Sequence, residues 1–468
     1  MTTFLPGPTG RHVEDCLSAI EWMDPALKAM ITVTEESARA AARAEDEALD
    51  SGRAVGPLAG MVVTLKDVIR TAGVRTTNGS DIDRDLVPDE DAEVVRRLKE
   101  AGAIVVGKVN LHEYAYGGTS QNPFYGACRN PWDISRIPGG SSGGSGAAVA
   151  SFMCDASLGT DTAGSGRLPA ALCGVTALRP TSGAIPNRGI TPLSAVFDTV
   201  SPMARSAVDV GRVFAAIAGY DPEDPFSSSH PVPRLRLEKY VDLSGLRIGV
   251  PADYFFDDVD PGVEEAVRAA IAQLAALGAQ VLPLSLPDAA QAPGHFEKLF
   301  HGDAAYEHRA RYADLRDRFG ADTRQRLDTL GRSFSAMDYA GAVVWMRRWQ
   351  RRLEAVFAQV DLIAHPTTPT VAPTIDDCAA TTTVTRRLAK FLYPWSLAQI
   401  PVLSLPVGLA EYGMPCGLSL AAPWWREDTL FRAGVTFQQA TRWHLLEPPL
   451  VAEWRKARSE GSDAQRPD

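Results

Sequence analysis

The chain has 468 residues, of which 45% are hydrophobic and 22% are charged, and its formal net charge at pH 7 is −10. This length predicts two to four domains or one unusually large α/β domain, and the composition is typical of a packed globular protein. The acidic balance, with no long basic run, argues against nucleic acid or an anionic membrane as a partner.

Two further features of the sequence bear on its environment. The six cysteines lie far apart and form no C-x-x-C pair, which argues against a zinc site or a disulfide framework and predicts reduced thiols. The N-terminus has no basic n-region or apolar h-region, and no apolar run approaches the roughly 20 residues of a membrane span. We therefore expect a soluble cytoplasmic protein.

Alternating helical and strand-like patterns begin the chain. Residues 11–50 read as helical, and residues 61–65 form a short apolar run that ends at Lys66. A helix is predicted from Asp91 to near Gly102, followed by a strand at 103–106. This β–α–β alternation indicates an α/β sheet.

The rest of the chain continues the alternation after a connection at 222–243 that is rich in Pro, Asp and Ser. Residues 295–358 read as largely helical, and the tail from Arg455 is charged and predicted to fray. The remaining predicted strands are 246–250, one from Gln280, 360–364 and 416–421, and the remaining predicted helices are 147–150, 263–277 and 428–441, with 428–441 as the last.

A block of small residues, Gly-Thr-Asp-Thr-Ala-Gly-Ser-Gly-Arg at 159–167, carries the strongest chemical signal. Amide hydrolysis needs a nucleophile and backbone N–H groups aimed at a developing oxyanion. Ser165 could supply the nucleophile. The amides of Thr162, Ala163, Gly164 and Ser165 could form an anion-binding nest, because small side chains leave them uncovered. Taken alone, the block favours a tight turn between a strand and a helix over a catalytic loop.

A second Gly/Ser-rich block spans residues 139–146. A flexible linker is the simplest interpretation. A phosphate-binding loop fits poorly, because G-x-x-x-x-G-K-[ST] is not satisfied. Residues 140–144 match G-x-S-x-G, but that nucleophile elbow needs a preceding strand, and 136–138 make a poor one.

Lys66 is the candidate base for such a serine. None of the eight histidines lies in a suggestive motif, and the His-Glu at 112–113 lacks the second histidine of a zinc site. Lysine can replace histidine if it is neutral, yet at a pKa of about 10.4 only about one in 2,500 is uncharged at pH 7. Lowering that pKa by about three units corresponds to about 4 kcal/mol, which burial can supply. The alternative is a surface ion pair between Lys66 and Asp67.

Several motifs together resemble the amidase signature family. The similarity covers most of the chain and is most specific in its centre. Beyond 220 it is weaker, through 365–369, 401–408 and the C-terminal helix. The motifs are Val-Thr-Leu-Lys-Asp at 63–67 after a Pro-Leu-Ala-Gly turn, Gly-Lys-Val-Asn-Leu-His-Glu at 107–113, Gly-Gly-Thr-Ser at 117–120, Arg-Asn-Pro-Trp at 129–132, the blocks 138–145 and 159–170, Cys-Gly-Val at 173–175 and Leu-Arg-Pro-Thr at 178–181.

The resemblance implies a Ser–cisSer–Lys triad. By matching positions, the triad falls on Ser165, Ser141 and Lys66, and the 24-position gap between the serines favours Ser141 over Ser142. In that scheme neutral Lys66 takes a proton from Ser141, which takes one from Ser165, and an acyl-enzyme forms. The remaining implied roles are an oxyanion hole made by the amides of Thr162, Ala163, Gly164 and Ser165, and loop support from Asp161, Arg167 and Ser142.

The chain departs from the family pattern in two places, and the first of them, in the nucleophile loop, concerns the substrate. Ala163 and Gly166 replace residues that are commonly Gly and Ile, and this variant is similar to the allophanate hydrolase branch, whereas 114–123 and 170–174 resemble general bacterial amidases. The chain is too short for the additional C-terminal domain often found in that branch. Arg179 replaces a common lysine, which we interpret as a conservative structural change.

The resemblance also implies the fold: an α/β amidase signature fold with a mixed central β-sheet covered by α-helices on both faces. We expect one domain over 1–468, with a signature core at about 56–220, a variable substrate-pocket half at about 244–450 and a flexible tail at 455–468. The site is expected at strand ends under loops of the second half. Candidate pocket-wall residues, each equally typical of helix packing, are Trp345, Trp349, Trp395 and Tyr393.

Three functions remain open on the sequence. The favoured one is a stand-alone hydrolase of a small linear amide, with urea-type or carbamate substrates as alternatives. The second is the glutaminase subunit of a tRNA-dependent amidotransferase, and the third is a non-catalytic binding protein, which the intact triad positions argue against. No cofactor and no metal is predicted, and the expected partners are a small-molecule amide and, for a homodimer, a second copy.

Overall fold

The computed structural model describes residues 7–238 and 240–460. Strands and helices alternate along most of this length. The strands are β1 Met30–Val33, β2 Val62–Lys66, β3 Ile104–Val109, β4 Gln121–Asn122, β5 Gly126–Ala127, β6 Ala156–Thr160, β7 Thr176–Arg179, β8 Val200–Ala204, β9 Arg247–Pro251, β10 Gln280–Leu284, β11 Leu362–Pro366, β12 Val402–Leu409 and β13 Pro415–Ala421.

The α-helices lie between and around these strands. They are α1 Pro8–Leu27, α2 Glu35–Asp50, α3 Glu93–Glu100, α4 Gly143–Ala150, α5 Arg167–Cys173, α6 Ala207–Ile217, α7 Pro261–Ala276, α8 Ala292–Leu315, α9 Ala321–Thr329, α10 Ala336–Phe357, α11 Thr381–Ala389, α12 Tyr393–Ala398, α13 Glu427–Ala440 and α14 Pro449–Ser459.

Eleven of the strands form one mixed sheet in the order β1-β3-β2-β6-β8-β7-β12-β13-β11-β9-β10, and β4 pairs with β5 separately. β2 runs parallel to both of its neighbours, β3 and β6, whereas β8, β7, β12 and β13 form an antiparallel centre. Strands from both halves of the sequence therefore share one sheet, and β2 lies inside it rather than at an edge.

Side chains on the two faces of this sheet enter two different hydrophobic clusters. On β2, Val62 packs into a cluster with residues of α1 and α4, whereas Val63 and Leu65 pack into a larger cluster with residues of α3 and α6. Successive residues of a strand point to opposite faces, so helices cover both faces. The predicted α/β class and the mixed sheet with helices on both faces are confirmed.

Two of the predicted element boundaries are wrong. The helical pattern of residues 11–50 is interrupted by β1, because Lys28 ends α1 in a left-handed conformation (φ 51°) and the next residues pair antiparallel with the edge of β3. The helix at 427–440 is not the last, because α14 follows it. Residues 455–459 of the predicted flexible tail belong to α14, where Trp454 and Ala457 are buried, and residues 461–468 lie outside the described residues.

All six cysteines are free and buried, so the prediction of unpaired thiols is confirmed. Within residues 7–238 and 240–460, no helix combines the length and the apolar character that crossing a membrane requires.

Candidate active site

Lys66 ends β2 with its side chain completely buried. Its Nζ donates to Ser141 Oγ at 2.6 Å and to Thr160 Oγ1 at 2.8 Å. In the described part of the chain, no carboxylate forms an ion pair with it. Burial lowers the pKa of Lys66 to about 7, although the charges of Asp198 and Asp161 partly oppose the change.

The alternative interpretation of Lys66, a surface ion pair with Asp67, is wrong. Asp67 is itself fully buried, and its Oδ1 lies 3.1 Å from Nζ of Lys108 on the neighbouring strand β3. Its other oxygen accepts hydrogen bonds from the amide and the hydroxyl of Thr77. Lys108 lies opposite Leu65 in the register of β2 and β3, and the side chains of Leu65 and Lys66 point to opposite faces, so the amine that pairs with Asp67 lies on the other face from the Lys66 side chain.

Ser141 lies in the loop that leads into α4. The Gly140–Ser141 peptide bond is cis. The Ser141 carbonyl accepts hydrogen bonds from the His112 amide (3.1 Å) and from the Ser120 hydroxyl (3.3 Å), and its side chain is completely buried. The backbone beside the hydroxyl is therefore held while Lys66 binds the hydroxyl itself.

Ser142 connects this loop to the loop of Ser165. Its hydroxyl donates to the Thr160 carbonyl at 3.1 Å and accepts from the Thr160 amide, and its own amide donates to the Ser165 carbonyl at 3.3 Å. Ser142 therefore holds the two loops together, which is consistent with a supporting role.

Ser165 lies between β6 and α5, 8% exposed, and lines a pocket. Among the described residues, no hydrogen bond holds its hydroxyl, and none joins it to the Ser141 hydroxyl. The structure therefore brings Lys66 and Ser141 into direct contact and brings the backbone of Ser165 alongside them through Ser142.

The four amides predicted to bind an oxyanion are not equivalent. The Gly164 N–H donates to Asp161 Oδ1 at 2.9 Å and is therefore not available to a substrate, which corrects the prediction for this residue. Gly164 has φ +115°, and a Cβ there would lie 2.3 Å from the Leu392 side chain, so its role is to form the turn. In the described chain, no hydrogen bond occupies the amides of Thr162, Ala163 or Ser165.

Asp161 organises the loop from inside. It forms an ion pair with Arg167, at 2.9 Å, and a second one with Arg179, at 3.1 Å, and all three side chains are fully buried. Burial would raise the pKa of Asp161, but the two guanidinium groups outweigh it and hold this pKa below its usual value. Arg179 is therefore part of the loop support, a contact that sequence reasoning did not assign to it.

Sequence reasoning also missed Asp198, which has no local motif. Its Oδ1 accepts from the Thr162 hydroxyl at 2.6 Å, and its Oδ2 accepts from the amides of Leu193 (2.8 Å) and Ser194 (3.1 Å). Burial raises the pKa of Asp198 to about 6, although the hydrogen bond from Thr162 opposes the change.

The pocket above Ser165 is built from two separate parts of the chain. The floor consists of Gly140 and residues 162–165, and one wall consists of residues 115–118. The opposite wall comes from the second half, where Arg386 of α11 pairs with Glu297 of α8 at 2.5 Å. The other pocket-lining residues of the second half are Phe296, Phe300, His301, Arg326, Thr382, Thr385, Ala389 and Tyr393.

Of the four aromatic residues proposed for the pocket wall, Tyr393 lines it and the tryptophans do not. Trp349 is buried and donates to the Pro394 carbonyl, and Trp345 stacks on it. Trp395 is buried and donates to His365 Nε2 at 2.7 Å. The three tryptophans therefore have packing roles outside the pocket. The aromatic side chains that line the pocket and that the sequence did not identify are Tyr116, Phe296 and Phe300.

Known proteins share both the sequence and this fold. The family model described as Amidase matches residues 11–431. A glutamyl-tRNA(Gln) amidotransferase subunit of Chloroflexus aurantiacus is 39% identical, covering 94% of this chain and 94% of that protein. The solved peptide amidase of Stenotrophomonas maltophilia superimposes with a TM-score of 0.80 at 31% identity, covering 94% of each chain.

A second solved structure has a higher TM-score. It belongs to a vestigial protein complex that reveals the evolutionary origins of an s-triazine catabolic enzyme. Its TM-score is 0.87 at 33% identity, covering 93% of this chain and 95% of the other. Because the family model spans 11–431 and the relatives align over nearly the whole chain, the resemblance drawn from the motifs is confirmed. The chain belongs to the amidase signature family of carbon–nitrogen hydrolases.

Proposed function

We propose that this protein hydrolyses the C–N bond of small linear amides through a Ser165–Ser141–Lys66 triad and an acyl-enzyme. One observation carries the proposal. A completely buried lysine without a carboxylate partner among the described residues lies 2.6 Å from Ser141, directly beneath the pocket that Ser165 lines. A structural lysine would be expected to have a counter-ion, whereas a base requires an amine that can lose its proton.

In the proposed reaction, protons are transferred from Ser165 to Ser141 and from Ser141 to Lys66. Neutral Lys66 removes the proton of Ser141, Ser141 removes that of Ser165 as the latter turns towards it, and Ser165 Oγ attacks the amide carbonyl. The amides of Thr162, Ala163 and Ser165 hold the oxyanion. The proton then returns to the leaving nitrogen, and water hydrolyses the ester by the same route.

The supply of neutral lysine is the quantitative requirement. At an unperturbed pKa of about 10.4, only about one molecule in 2,500 would carry a neutral amine at pH 7. With the pKa of Lys66 at about 7, about half of the molecules do. Burial therefore raises the concentration of active base by about three orders of magnitude.

A glutaminase subunit is the second candidate function. It is favoured by the 39% identity to a glutamyl-tRNA(Gln) amidotransferase subunit over 94% of both chains. Both functions use the same triad, so the triad does not separate them. A glutaminase subunit would depend on other subunits, whereas a stand-alone amidase would not.

The experiment is a substrate panel on the purified chain, with Ser165→Ala as the matched control. Small aliphatic and aromatic amides, ureas, carbamates and glutamine are incubated with each protein, and products are identified by mass spectrometry. We expect turnover of small amides by the wild type and less than a hundredth of it by Ser165→Ala. Residual activity above that level would exclude Ser165 as sole nucleophile, and turnover of small amides without turnover of glutamine would exclude the subunit function.

We also propose that the described residues, 7–238 and 240–460, form a single domain and that the protein is located in the cytoplasm. The single-domain proposal is supported by the one sheet that combines strands of both halves, and the location by six unpaired thiols. A homodimer stays a prediction, which light scattering of the purified protein would test.

A further inference from the structure

Resting on the proposed function, we infer that Asp198 and Arg179 are positioning residues that aim the amides of Thr162 and Ala163 at the oxyanion. Neither residue lines the pocket, so both would act through the backbone of the loop. The direction of each N–H depends on which groups hold the carbonyl of the same peptide unit.

Arg179 holds two successive carbonyls of the loop. Its Nη1 donates to the Asp161 carbonyl and, at 3.4 Å, to the Thr162 carbonyl. Thr199 adds a hydrogen bond from its hydroxyl to the Asp161 carbonyl at 3.2 Å. In a trans peptide unit the C=O and the N–H point in opposite directions. The same guanidinium that draws both carbonyls to the protein interior therefore turns the next two N–H groups, those of Thr162 and Ala163, away from it.

Asp198 restrains the side chain of Thr162 in this loop. The Thr162 hydroxyl donates to its Oδ1 at 2.6 Å, and the carboxylate is itself held by the amides of Leu193 and Ser194. Thr162 and Leu193 also line the pocket. Asp198 thus joins the oxyanion loop to the pocket wall, and Thr162 is restrained at both its carbonyl and its side chain.

Such restraint matters because oxyanion binding depends on donors that are already oriented before the reaction. Removing one donor typically costs roughly 10²–10³ in kcat, so loosening one by loss of a supporting hydrogen bond should cost less, roughly tenfold to a hundredfold. The loss should appear in kcat and leave KM within about threefold, because the amides bind charge that develops only in the transition state.

The test compares Thr162→Val, which removes the hydroxyl at nearly constant volume, with Thr162→Ser, which keeps it. Thr368→Val is the matched control. Thr368 is buried like Thr162, and its hydroxyl donates to the Thr370 carbonyl at 2.8 Å, but Thr368 does not line the pocket. Two rates are measured: kcat on the best amide of the panel, and covalent labelling of Ser165 by a fluorophosphonate, whose attack also generates charge at an oxygen in the hole.

We expect Thr162→Val to lower both rates by roughly tenfold to a hundredfold, Thr162→Ser to keep at least about a third of each, and Thr368→Val to match the wild type. Asp198→Ala should lower both rates at least as much as Thr162→Val, because it removes the acceptor of the Thr162 hydroxyl and also that of the Leu193 and Ser194 amides. Arg179→Lys should lower kcat by several-fold, since a single ammonium nitrogen cannot hold the Asp161 and Thr162 carbonyls as Nη1 does and also make the Nη2 contacts to Ser182 and Phe197 that fix the guanidinium.

Either of two results overturns the inference: a wild-type labelling rate in Thr162→Val, or a Thr162→Ser variant as slow as Thr162→Val. If Thr162→Val does not fold, Arg179→Lys decides, and an unchanged kcat there contradicts the inference. Failure of the proposed function looks different, because in that case wild-type protein is not labelled at Ser165, as peptide mass spectrometry would show.

Discussion

Two buried lysines on neighbouring strands, Lys66 of β2 and Lys108 of β3, have different surroundings. Both are completely buried, and the register of the parallel pair places Lys108 opposite Leu65. Lys108 lies 3.1 Å from the Asp67 carboxylate and donates to a carbonyl and a hydroxyl at 2.7 Å each. Lys66 contacts two hydroxyls, Ser141 and Thr160, and forms no ion pair with a described residue.

Under the proposed function, the partner set, and not burial alone, separates the structural lysine from the base. Burial lowers the pKa of both amines, but the Asp67 charge opposes this at Lys108. A carboxylate and a carbonyl can only accept hydrogen bonds, so they favour the ammonium form. Hydroxyls can also donate, so a neutral amine at Lys66 keeps satisfied partners after it loses its proton.

The largest effect on activity is expected from Lys66→Ala. Losing the base of the triad should lower kcat/KM by roughly 1,000-fold or more, because proton transfer contributes about 10²–10⁴ and the triad acts as a unit. Steady-state kinetics on the best amide, with thermal unfolding to verify the fold, measures this. Activity within tenfold of the wild type would show that another group is the base.

Lys108→Met should affect stability instead. It leaves the buried Asp67 carboxylate without its counter-ion, which should cost about 3–5 kcal/mol of unfolding free energy. Urea unfolding measures the cost, and kcat per folded molecule should stay close to the wild type. Adding Asp67→Asn should recover part of the stability. A folded Lys108→Met variant that is as inactive as Lys66→Ala would contradict the division of roles.

The pH dependence separates the two lysines without altering the site. Protonated Lys66 cannot accept a proton, so kcat/KM should fall tenfold per pH unit below the pKa of about 7 and level off above it. This amounts to roughly a hundredfold between pH 5 and pH 8. The same limb should be present in Lys108→Met. A limb that is missing from the wild type would argue that Lys66 does not titrate in this range.

Thr160→Val should have the smallest effect. It removes one of the two hydroxyls on Lys66 Nζ and should lower kcat by roughly three- to tenfold. Because Thr160 accepts a hydrogen bond from the protonated amine, its loss should also move the acid limb to lower pH. The control is Thr64→Val. Thr64 lies on the same strand as Lys66, and its hydroxyl contacts Cys154 Sγ at 3.3 Å, so this change should leave the acid limb of the pH profile in place.

The apolar run at 61–65 was sufficient to predict β2, but it left the burial of Lys66 open against a surface ion pair with Asp67, because the last residue of a strand can be buried or exposed. The two Gly/Ser blocks were chemically ambiguous on their own. The family motifs selected Ser141 and Ser165, and the contact between Lys66 and Ser141 agrees with that selection.

The remaining features depend on long-range contacts that no local pattern encodes. Asp198 meets Thr162 across 36 positions, and Asp67 pairs with Lys108 rather than with its neighbour Lys66 because of strand geometry. The use of the Gly164 amide by Asp161 follows from the tight turn of the loop, which a run of small residues does not specify. The pocket-lining aromatics likewise follow from how α8 and α12 pack.

The pocket draws Gly140, residues 162–165 and the wall at 115–118 from the first half of the chain, and its other wall from residues 296–393. Under the proposed function, the reacting groups and one of the two substrate-contacting walls are therefore encoded in separate stretches of the gene. Recombination or mutagenesis limited to the later stretch could change the accepted substrate while the proton line and the oxyanion loop stay intact. One reaction could in this way serve many substrates by exchange of a single wall.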